Sequence, residues 1–252
     1  MKLLSLARDL QRRKARERQA LFVVEGVRAT EELLRSALVV RGALVAPQLA
    51  EAPRGAALKA DLVSRGVTVE EVGHRDFASA AETESPQGVL AIAEVPARTF
   101  DGMPDSAAPL LILDGVQDPG NAGAILRTAA ALGARATIAL PGTVDLWNPK
   151  VVRSAVGAHF SHYAFAAAWN VVAGFISQTQ TSLWVTAADG TPLDQVERPV
   201  RVAVALGNEG AGVSAPVASA AAHRVGIPIG PGAESLNVAV TAGIVLYTLR
   251  AK

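Results

Sequence analysis

Short apolar runs recur through the second half of the chain at a spacing typical of alternating strands and helices. Each run is five residues long and rich in Val, Leu, Ile and Ala, and a Gly, Pro or polar residue follows within two positions. The runs are Leu110–Asp114, Ala136–Leu140, Leu183–Ala187, Val202–Leu206 and Val225–Ile229. Continuous apolar runs of this length are typical of strands that are buried on both faces. The pattern therefore predicts an α/β fold, with a parallel sheet covered by helices on both sides.

Segments with helical spacing of apolar residues separate these predicted strands. They are Ala124–Leu132, which Gly133 ends, Pro149–Ala158 and Trp169–Gln178. The last segment, Leu236–Leu249, is almost wholly apolar. A helix that is apolar all round is buried, so we expect this one in the core.

The first third of the chain predicts a separate, smaller α/β unit. Its predicted strands are Leu21–Gly26, Ala43–Ala46, Val67–Val72 and Gln87–Ala93, and its predicted helices are Val27–Leu38, Ala56–Arg65 and Arg75–Ala81. A stretch rich in Pro, Gly, Asp and Ser follows, and this composition is typical of a linker. The predicted organisation is a domain at residues 1–97, a linker at 98–109 and a second domain at 110–252.

The composition excludes several kinds of chemistry. No cysteine occurs in the 252 residues, which excludes a disulfide framework, a thiolate metal site and a cysteine nucleophile. The four histidines are scattered, so we expect no metal site. The sequence shows neither a secretory signal pattern nor an apolar span of membrane-crossing length. We therefore expect a cytoplasmic protein that does not enter a membrane.

Positive charge is concentrated at the start of the chain. Residues 1–28 hold eight basic and three acidic side chains, whereas the whole chain has a net charge of only +1. The densest cluster consists of Arg12, Arg13, Lys14 and Arg16. Such clustering favours contact with nucleic acid phosphates, and the scarcity of nearby aromatic residues argues against base-specific binding. A solvated helix surface is the alternative interpretation.

Two of the predicted strands end in loops that favour ligand binding. Val202–Leu206 leads into Gly207-Asn208-Glu209-Gly210, and Val225–Ile229 leads into Gly230-Pro231-Gly232. Glycine loops between strands and helices expose unpaired backbone N–H groups, and in an open α/β sheet they are the expected place for a cofactor. Neither loop matches G-x-G-x-x-G, and G-x-x-x-x-G-K-[ST] does not occur. The loops predict a binding site without the usual phosphate-binding patterns.

Three sequence blocks occur in order within the second domain. The first is Asp118-Pro119-Gly120-Asn121-Ala122-Gly123-Ala124-Ile125-Leu126-Arg127-Thr128-Ala129, the second is Gly207-Asn208-Glu209-Gly210, and the third runs from Ile227-Pro228-Ile229 through Glu234-Ser235-Leu236-Asn237-Val238. Together they resemble motifs 1, 2 and 3 of the SpoU/TrmH family of S-adenosylmethionine-dependent RNA ribose 2′-O-methyltransferases. The resemblance is strong over residues 110–250 and looser over the first third.

The resemblance implies a fold that periodicity cannot show. It implies a SPOUT-type parallel sheet with a C-terminal trefoil knot, in which the chain after Val225 is threaded through an earlier loop. It also implies that the preceding domain is a ribosomal-protein-like, RNA-binding substrate domain, because Phe22–Gly26 and Gln87–Ala91 resemble its signatures. For Glu25 and Gln87 themselves, a structural role in turns is the favoured alternative to substrate contact.

The resemblance also assigns site residues. Cofactor binding, largely through backbone groups, is implied for Leu206, Gly207, Ile227, Ile229, Ser235 and Leu236. Polar positions of the catalytic site are matched by Asn121, Arg127, Glu209, Ser235 and Asn237. The family assigns activation of the 2′-hydroxyl to the residue matched by Arg127. Since a guanidinium stays protonated, we expect Arg127 to act as a cation that binds the target phosphate and stabilises the developing alkoxide.

Several of these polar residues have a second interpretation. Asn121 is the expected N-cap of the helix that follows it, and Ser235 and Asn237 are candidate caps of the last helix. Glu209 is expected to pair with Arg127 when RNA is absent, which would account for an acid in an RNA site.

The expected partners are ribosomal RNA and a second copy of the chain. The homodimer is expected because apolar positions such as Val238, Val245 and Leu249 exceed what one small sheet covers. Three alternatives stay open: a transfer-RNA methyltransferase, a non-catalytic RNA-binding protein of the same fold, and a nicotinamide-dependent dehydrogenase. The absence of G-x-G-x-x-G disfavours the last of these.

Overall fold

The computed structural model describes residues 2–250. Its helices are α1 (Leu3–Asp9), α2 (Arg13–Gln19), α3 (Val27–Arg35), α4 (Pro53–Ser64), α5 (His74–Ala78), α6 (Pro119–Ala131), α7 (Pro149–Ala155), α8 (Ala158–Ser161), α9 (Trp169–Gln178), α10 (Ala215–Ser219) and α11 (Val238–Leu249). Its strands are β1 (Leu21–Glu25), β2 (Val40–Val45), β3 (Val69–Glu71), β4 (Val89–Glu94), β5 (Leu110–Asp114), β6 (Ala136–Ala139), β7 (Ala164–Ala166), β8 (Ser182–Pro192), β9 (Val202–Gly207) and β10 (His223–Gly226).

The chain divides into two compact units. The first runs to Ala97 and includes Trp147–Ser161, and the second comprises Arg98–Leu146 and the chain from His162 onward. The first unit has a four-stranded sheet in the order β1-β4-β2-β3, in which β4 is antiparallel to β1 and β2. Leu6 and Leu10 pack with Phe77 and the strand residue Ile92 in its apolar core.

A segment from later in the chain completes the first unit. Helix α7 packs against β1, and the ring centroid of Trp147 lies 4.4 Å from that of Phe22. At Gly157, which has a φ of +83°, an added Cβ atom would lie only 2.6 Å from Cβ of Glu32. The sequence predicts Trp147–Ser161 as part of the second domain, because apolar periodicity does not show which neighbour a helix packs on.

The second unit carries a six-stranded sheet in the order β10-β8-β9-β5-β6-β7, and every neighbouring pair is parallel. The central strands β5 and β9 are buried almost throughout. This confirms the predicted α/β class and parallel sheet. From β5 the chain builds outward through β6 and β7 and then returns to the other side of β5, so a topological switch point lies between β5 and β9.

Strand β10 covers His223–Gly226, whereas the apolar run predicts Val225–Ile229. Pro228 has no N–H group for a strand ladder, so the chain leaves the sheet after Gly226. Two glycines allow β8 and β10 to approach closely at this point. An added Cβ at Gly190 would lie 2.5 Å from the carbonyl carbon of Val225. The trefoil knot stays a prediction, because strand order does not define how the chain is threaded.

Helix α11 is only half buried, contrary to the prediction. The helix packs against α6, and its buried side includes Val238, Val245 and Leu249. The opposite side is apolar but exposed, and its exposed residues are Val240 (50%), Ile244 (37%) and Tyr247 (55%). Because both sides are apolar, the sequence pattern could not distinguish them.

The predicted linker is packed onto the second unit. Phe100 stacks on Phe175, with ring centroids 4.4 Å apart, and Met103 is buried. The hydroxyl group of Tyr163 donates to the carbonyl oxygen of Thr99 at 2.8 Å. Residues 98–109 therefore have fixed contacts that their loop-like composition did not predict.

Candidate active site

A pocket of about 390 Å³ lies at the carboxyl ends of β8, β9 and β10. This position borders the topological switch point, where open α/β sheets bind ligands. The volume lies in the range of small-molecule sites. Its lining is mostly aliphatic side chains and loop backbone, with polar groups supplied by residues such as Asn208, Glu209 and Asn237.

Most residues predicted to bind the cofactor line this pocket: Gly207, Ile227, Ile229, Ser235 and Leu236. The exception is Leu206, whose side chain is fully buried within β9 and does not reach the pocket. Within residues 2–250, the backbone N–H groups of Ile227, Ile229 and Leu236 have no intramolecular acceptor. The pocket therefore offers main-chain donors to a ligand, as the resemblance implies.

Gly207 occupies a position that only glycine fits. An added Cβ atom would lie 2.2 Å from the carbonyl carbon of Gly212 and 2.3 Å from the nitrogen of Val213. The loop folds back here because Asn208 and Gly212 exchange two backbone hydrogen bonds of 2.9 Å. One wall of the pocket is thus backbone packed directly on backbone.

Motif 1 begins α6 with a cap that differs from the predicted one. Asp118, not Asn121, is the N-cap, since its carboxylate accepts from the backbone N–H of Asn121 at 2.7 Å. Pro119 takes the first helical position, which its fixed φ suits. The side chain of Asn121 therefore remains available for contacts outside its own helix.

Side chains from all three motifs form one hydrogen-bonded chain beside the pocket. Nδ2 of Asn121 donates to Oε1 of Glu209 at 2.8 Å, and Nδ2 of Asn237 donates to Oδ1 of Asn121 at 2.9 Å. The oxygen of Asn237 accepts from the N–H of Ala239 at 2.8 Å, so Asn237 also caps α11. Asn237 therefore links the motifs and caps its helix at once, whereas Ser235 lines the pocket.

Arg127 lies outside this chain of bonds. It is exposed on α6, and within residues 2–250 it forms no hydrogen bond or ion pair. The predicted pairing of Arg127 with Glu209 is wrong, because the carboxylate of Glu209 bonds to Asn121 instead. The guanidinium of Arg127 thus keeps its donors available for an anionic ligand.

Two residues without a predicted role fix the motif 2 loop. Asp114, the last residue of β5, is buried, and its Oδ2 accepts from the N–H of Ser214 at 2.7 Å. Asn208 donates from Nδ2 to the carbonyl oxygen of Gly115 at 3.0 Å, and its Oδ1 accepts two backbone N–H groups of the loop at 2.9 Å. The sequence did contain a signal for Asp114, because a carboxylate directly follows the apolar residues Leu110–Leu113.

Arg16 does not fit its predicted contact with RNA. It is 3% exposed, and its Nη1 donates to the carbonyl oxygens of Leu10 and Gln11 at 2.8 and 2.9 Å. These carbonyls follow the end of α1, where helix carbonyls lack partners. The prediction for Arg16 is corrected: it joins α1 to α2 rather than facing solvent.

Arg12, Arg13 and Lys14 are exposed at the start of α2. Nε of Arg13 pairs with Oε1 of Glu17, one turn later, at 2.7 Å. The basic segment thus forms a helix of the first unit.

Glu25 and Gln87 have structural roles, in agreement with the favoured interpretation. Oε1 of Gln87 accepts from the N–H of Val27, the first residue of α3, at 2.9 Å. Glu25 accepts from the N–H of Glu82 at 2.8 Å and also bonds to the hydroxyl group of Thr83.

No histidine lines the pocket. His162 is buried against Thr137, with its Nε2 2.8 Å from the threonine hydroxyl oxygen. Desolvation, with a smaller contribution from Arg98, lowers the pKa of His162 to about 4, so its ring is neutral at pH 7. Across residues 2–250, no group of His, Cys, Asp or Glu is placed to hold a metal ion, and no helix has the length and apolarity to cross a membrane.

Family models match both parts of the chain. Residues 5–91 match the MRM3-like substrate binding domain, and residues 108–247 match the SpoU rRNA Methylase family. The chain belongs to the SpoU rRNA methylase family. This confirms the family recognised from the three motifs, and with it the assignment as an RNA methyltransferase that uses S-adenosylmethionine.

The similarity of this SpoU chain to several relatives extends over nearly its whole length. A 23S rRNA (guanosine(2553)-2′-O)-methyltransferase of Bacillus subtilis, RlmP, is 32% identical over 244 residues, which cover 96% of this chain and 94% of the relative. A crystal structure of an RNA 2′-O ribose methyltransferase is 32% identical with a TM-score of 0.83, covering 98% and 95% of the two chains. AviRb of Streptomyces viridochromogenes, crystallised with S-adenosylmethionine, is 27% identical with a TM-score of 0.87, covering 99% and 97%.

Proposed function

We propose that this SpoU chain transfers the methyl group of S-adenosylmethionine to the 2′-hydroxyl of a ribose in ribosomal RNA. The observation that carries the proposal is the hydrogen-bonded chain Glu209–Asn121–Asn237, which unites the three motifs beside one pocket. Relatives named as 23S rRNA 2′-O-methyltransferases support ribosomal RNA as the substrate.

The pocket suits S-adenosylmethionine in size and in its donor groups. The main chain around Gly207, Ile227 and Leu236 would hold the adenosine part, with Ser235 beside it. Bound cofactor supplies an activated methyl group, since a sulfonium is already a good leaving group. The protein then has to position the hydroxyl group and stabilise its oxygen as the proton is lost.

We assign that stabilising role to Arg127. Its free, planar guanidinium can bind a phosphate with two parallel hydrogen bonds and stabilise the developing negative charge. Both polar atoms of the Asn121 amide are already bonded, so Asn121 acts by holding motifs 2 and 3 together. Glu209 and Asn237 are placed by the same bonds.

Mapping of ribose methylation in total RNA, with and without the gene, tests this function. We expect loss of a 2′-O-methyl group from ribosomal RNA alone, and its restoration by the purified chain with S-adenosylmethionine. Loss of a methyl group from transfer RNA instead would contradict the substrate. Absence of any methyl transfer, with RNA binding intact, would favour the non-catalytic alternative.

We also propose which part of the chain binds RNA, which part transfers the methyl group, and where in the cell the protein acts. RNA binding belongs to residues 1–97, which the match over residues 5–91 supports. Methyl transfer belongs to a knotted domain at 110–252, except for Trp147–Ser161, which is part of the first unit. Residues 98–109 join them. The cytoplasm, where bacteria assemble their ribosomes, is the proposed location.

The basic residues of α2 provide the first test of RNA binding. The double substitution Arg12→Ala with Lys14→Ala removes two exposed cations that pair with no residue within 2–250. We expect weaker RNA binding and a shallower salt dependence, with a log–log slope reduced by about 0.7–0.9 for each phosphate that the variant no longer neutralises. Fluorescence anisotropy across a salt series measures both quantities.

A matched control removes two cations that are already paired. Arg54 is bonded to Glu31, and Arg65 to Asp61, in the same unit. Their double substitution by alanine should change the slope less. If the salt dependence of the Arg12→Ala, Lys14→Ala variant were unchanged, these cations would not contact RNA. They would then be part of a solvated helix surface.

We propose that the exposed face of α11 binds a second copy of the chain. Val238, Val245 and Leu249, the positions first expected to pair, are buried within the unit, so the proposed contact uses Val240, Ile244 and Tyr247. A two-fold axis would place this face against itself.

Ile244→Glu should produce a monomer, because an unpaired charge opposes burial of the α11 face. Sedimentation velocity at micromolar concentration measures the change. Val171→Glu, at a valine that is 51% exposed on α9, is the matched control and should leave the dimer intact. A wild-type chain that sediments as a monomer would overturn the proposed dimer.

A further inference from the structure

Glu209 is the one charged side chain among the described residues that line the pocket. The other lining side chains are aliphatic or neutral polar groups. A carboxylate in an RNA-binding site weakens RNA binding, because it repels the phosphates. Arg127 is not paired with it, since the carboxylate of Glu209 accepts instead from the neutral amide of Asn121. The pocket therefore has a formal charge of −1.

The fold holds this charge in one place. The amide of Asn121 fixes the carboxylate itself at 2.8 Å. The loop that carries Glu209 is anchored before it by Asn208, bonded to Gly115 at 3.0 Å, and after it by Ser214, bonded to the buried Asp114 at 2.7 Å. A charge that is fixed in advance acts on a bound ligand without first having to be ordered.

The two forms of the cofactor differ by one unit of charge. S-adenosylmethionine carries a sulfonium, an ammonium and a carboxylate, and is a net cation. After methyl transfer the sulfur is a neutral thioether, so S-adenosylhomocysteine has no net charge. A fixed carboxylate in the pocket attracts the first ligand as a whole and gains nothing from the second.

We propose that Glu209 makes the pocket selective for charge, so that it favours the sulfonium cofactor and releases the neutral product after each transfer. The inference rests on the proposed use of this pocket for S-adenosylmethionine. It also accounts for an acidic side chain in an RNA-modifying site.

Isothermal titration of the wild type and of Glu209→Gln, without RNA, tests the proposal. Three ligands are compared: S-adenosylmethionine, S-adenosylhomocysteine, and sinefungin, whose amine places a positive charge near the sulfonium position. A unit-charge pair at ~4 Å in water-like surroundings is worth a factor of about five in affinity. We expect Glu209→Gln to reduce the preference for both cations over S-adenosylhomocysteine by roughly that factor. Glutamine keeps an oxygen for the bond from Asn121, so the loop should retain its shape.

Glu234→Gln is the matched control, because Glu234 is an exposed carboxylate that directly precedes Ser235 but does not line the pocket. It should leave the preference unchanged. An equal weakening of all three ligands in Glu209→Gln would overturn charge selection in favour of a structural role, and an equal effect of Glu234→Gln would overturn the assignment to Glu209. If no ligand binds the wild type, the proposed cofactor site itself fails, which is a separate result.

Discussion

Replacement of Arg127 by alanine is expected to lower the rate of methyl transfer by a factor on the order of 10²–10³, the loss found when one preorganised charge-stabilising donor is removed. S-adenosylmethionine binding should not change, because Arg127 does not line the pocket. Arg127→Lys keeps the charge but loses the planar fork that fixes a phosphate, so its rate should fall less. Single-turnover assays with labelled cofactor and excess enzyme measure the chemical step.

The pH dependence of Arg127→Lys separates a cation from a base. Lysine loses its proton more readily than arginine, so a base role predicts that the lysine variant recovers as the pH approaches its pKa. A phosphate-binding cation predicts no such recovery. A lysine variant that reaches the wild-type rate at high pH, while the wild type stays flat, would contradict the cation role. Arg224→Ala removes an exposed arginine paired with Asp189 and serves as the control.

Gly207→Ala is expected to weaken binding of S-adenosylmethionine by roughly 10- to 100-fold. The added methyl group would lie 2.2 Å from the carbonyl carbon of Gly212, so the loop must move away from β9. Overpacking of this kind costs about 1–3 kcal/mol. The atoms that would have to move here are backbone atoms, which have no alternative rotamer. Isothermal titration gives the affinity, and circular dichroism checks that the chain is folded.

Gly210→Ala provides a control within the same loop. Its nearest contact for an added Cβ atom is Oδ1 of Asn208 at 3.6 Å, which is an ordinary van der Waals distance. This variant should bind the cofactor almost as the wild type does. Equal affinities in Gly207→Ala and Gly210→Ala would show that the close backbone packing at Gly207 does not shape the pocket.

Strands β5, β6 and β9 could be predicted because each is a short, continuous apolar run. The three-residue β7 was not predicted, and β8 extends to Pro192, beyond its apolar run. The last run was predicted too long, although Pro228 within it cannot donate to a strand ladder, and the strand ends at Gly226. Likewise, Asp118 and Asn121 are both good capping residues. Proline is favoured at the first helical position, so Pro119 indicates that Asp118, directly before it, is the N-cap. These two errors were local, and the sequence held the information to avoid them.

Other features depend on contacts between distant segments, which local patterns do not contain. Arg16 looks like its basic neighbours in sequence, yet it is buried because α1 ends beside it. Trp147 meets Phe22 only after the chain has folded back on β1. The motifs indicated that Asn121, Glu209 and Asn237 share a site, but not that Asn121 stands between the other two.

The bonds that build the site also bear on how the protein folds. Asn121 and Glu209 are 88 residues apart in sequence, Asn121 and Asn237 are 116 apart, and Asp114 and Ser214 are 100 apart. Bonds of such long range form late, because closing a large loop costs chain entropy before any bond forms to offset it. Helices such as α6 can therefore be present in a chain that still has no assembled site. We therefore expect catalytic competence to be acquired near the end of folding, so that partly folded molecules do not modify RNA.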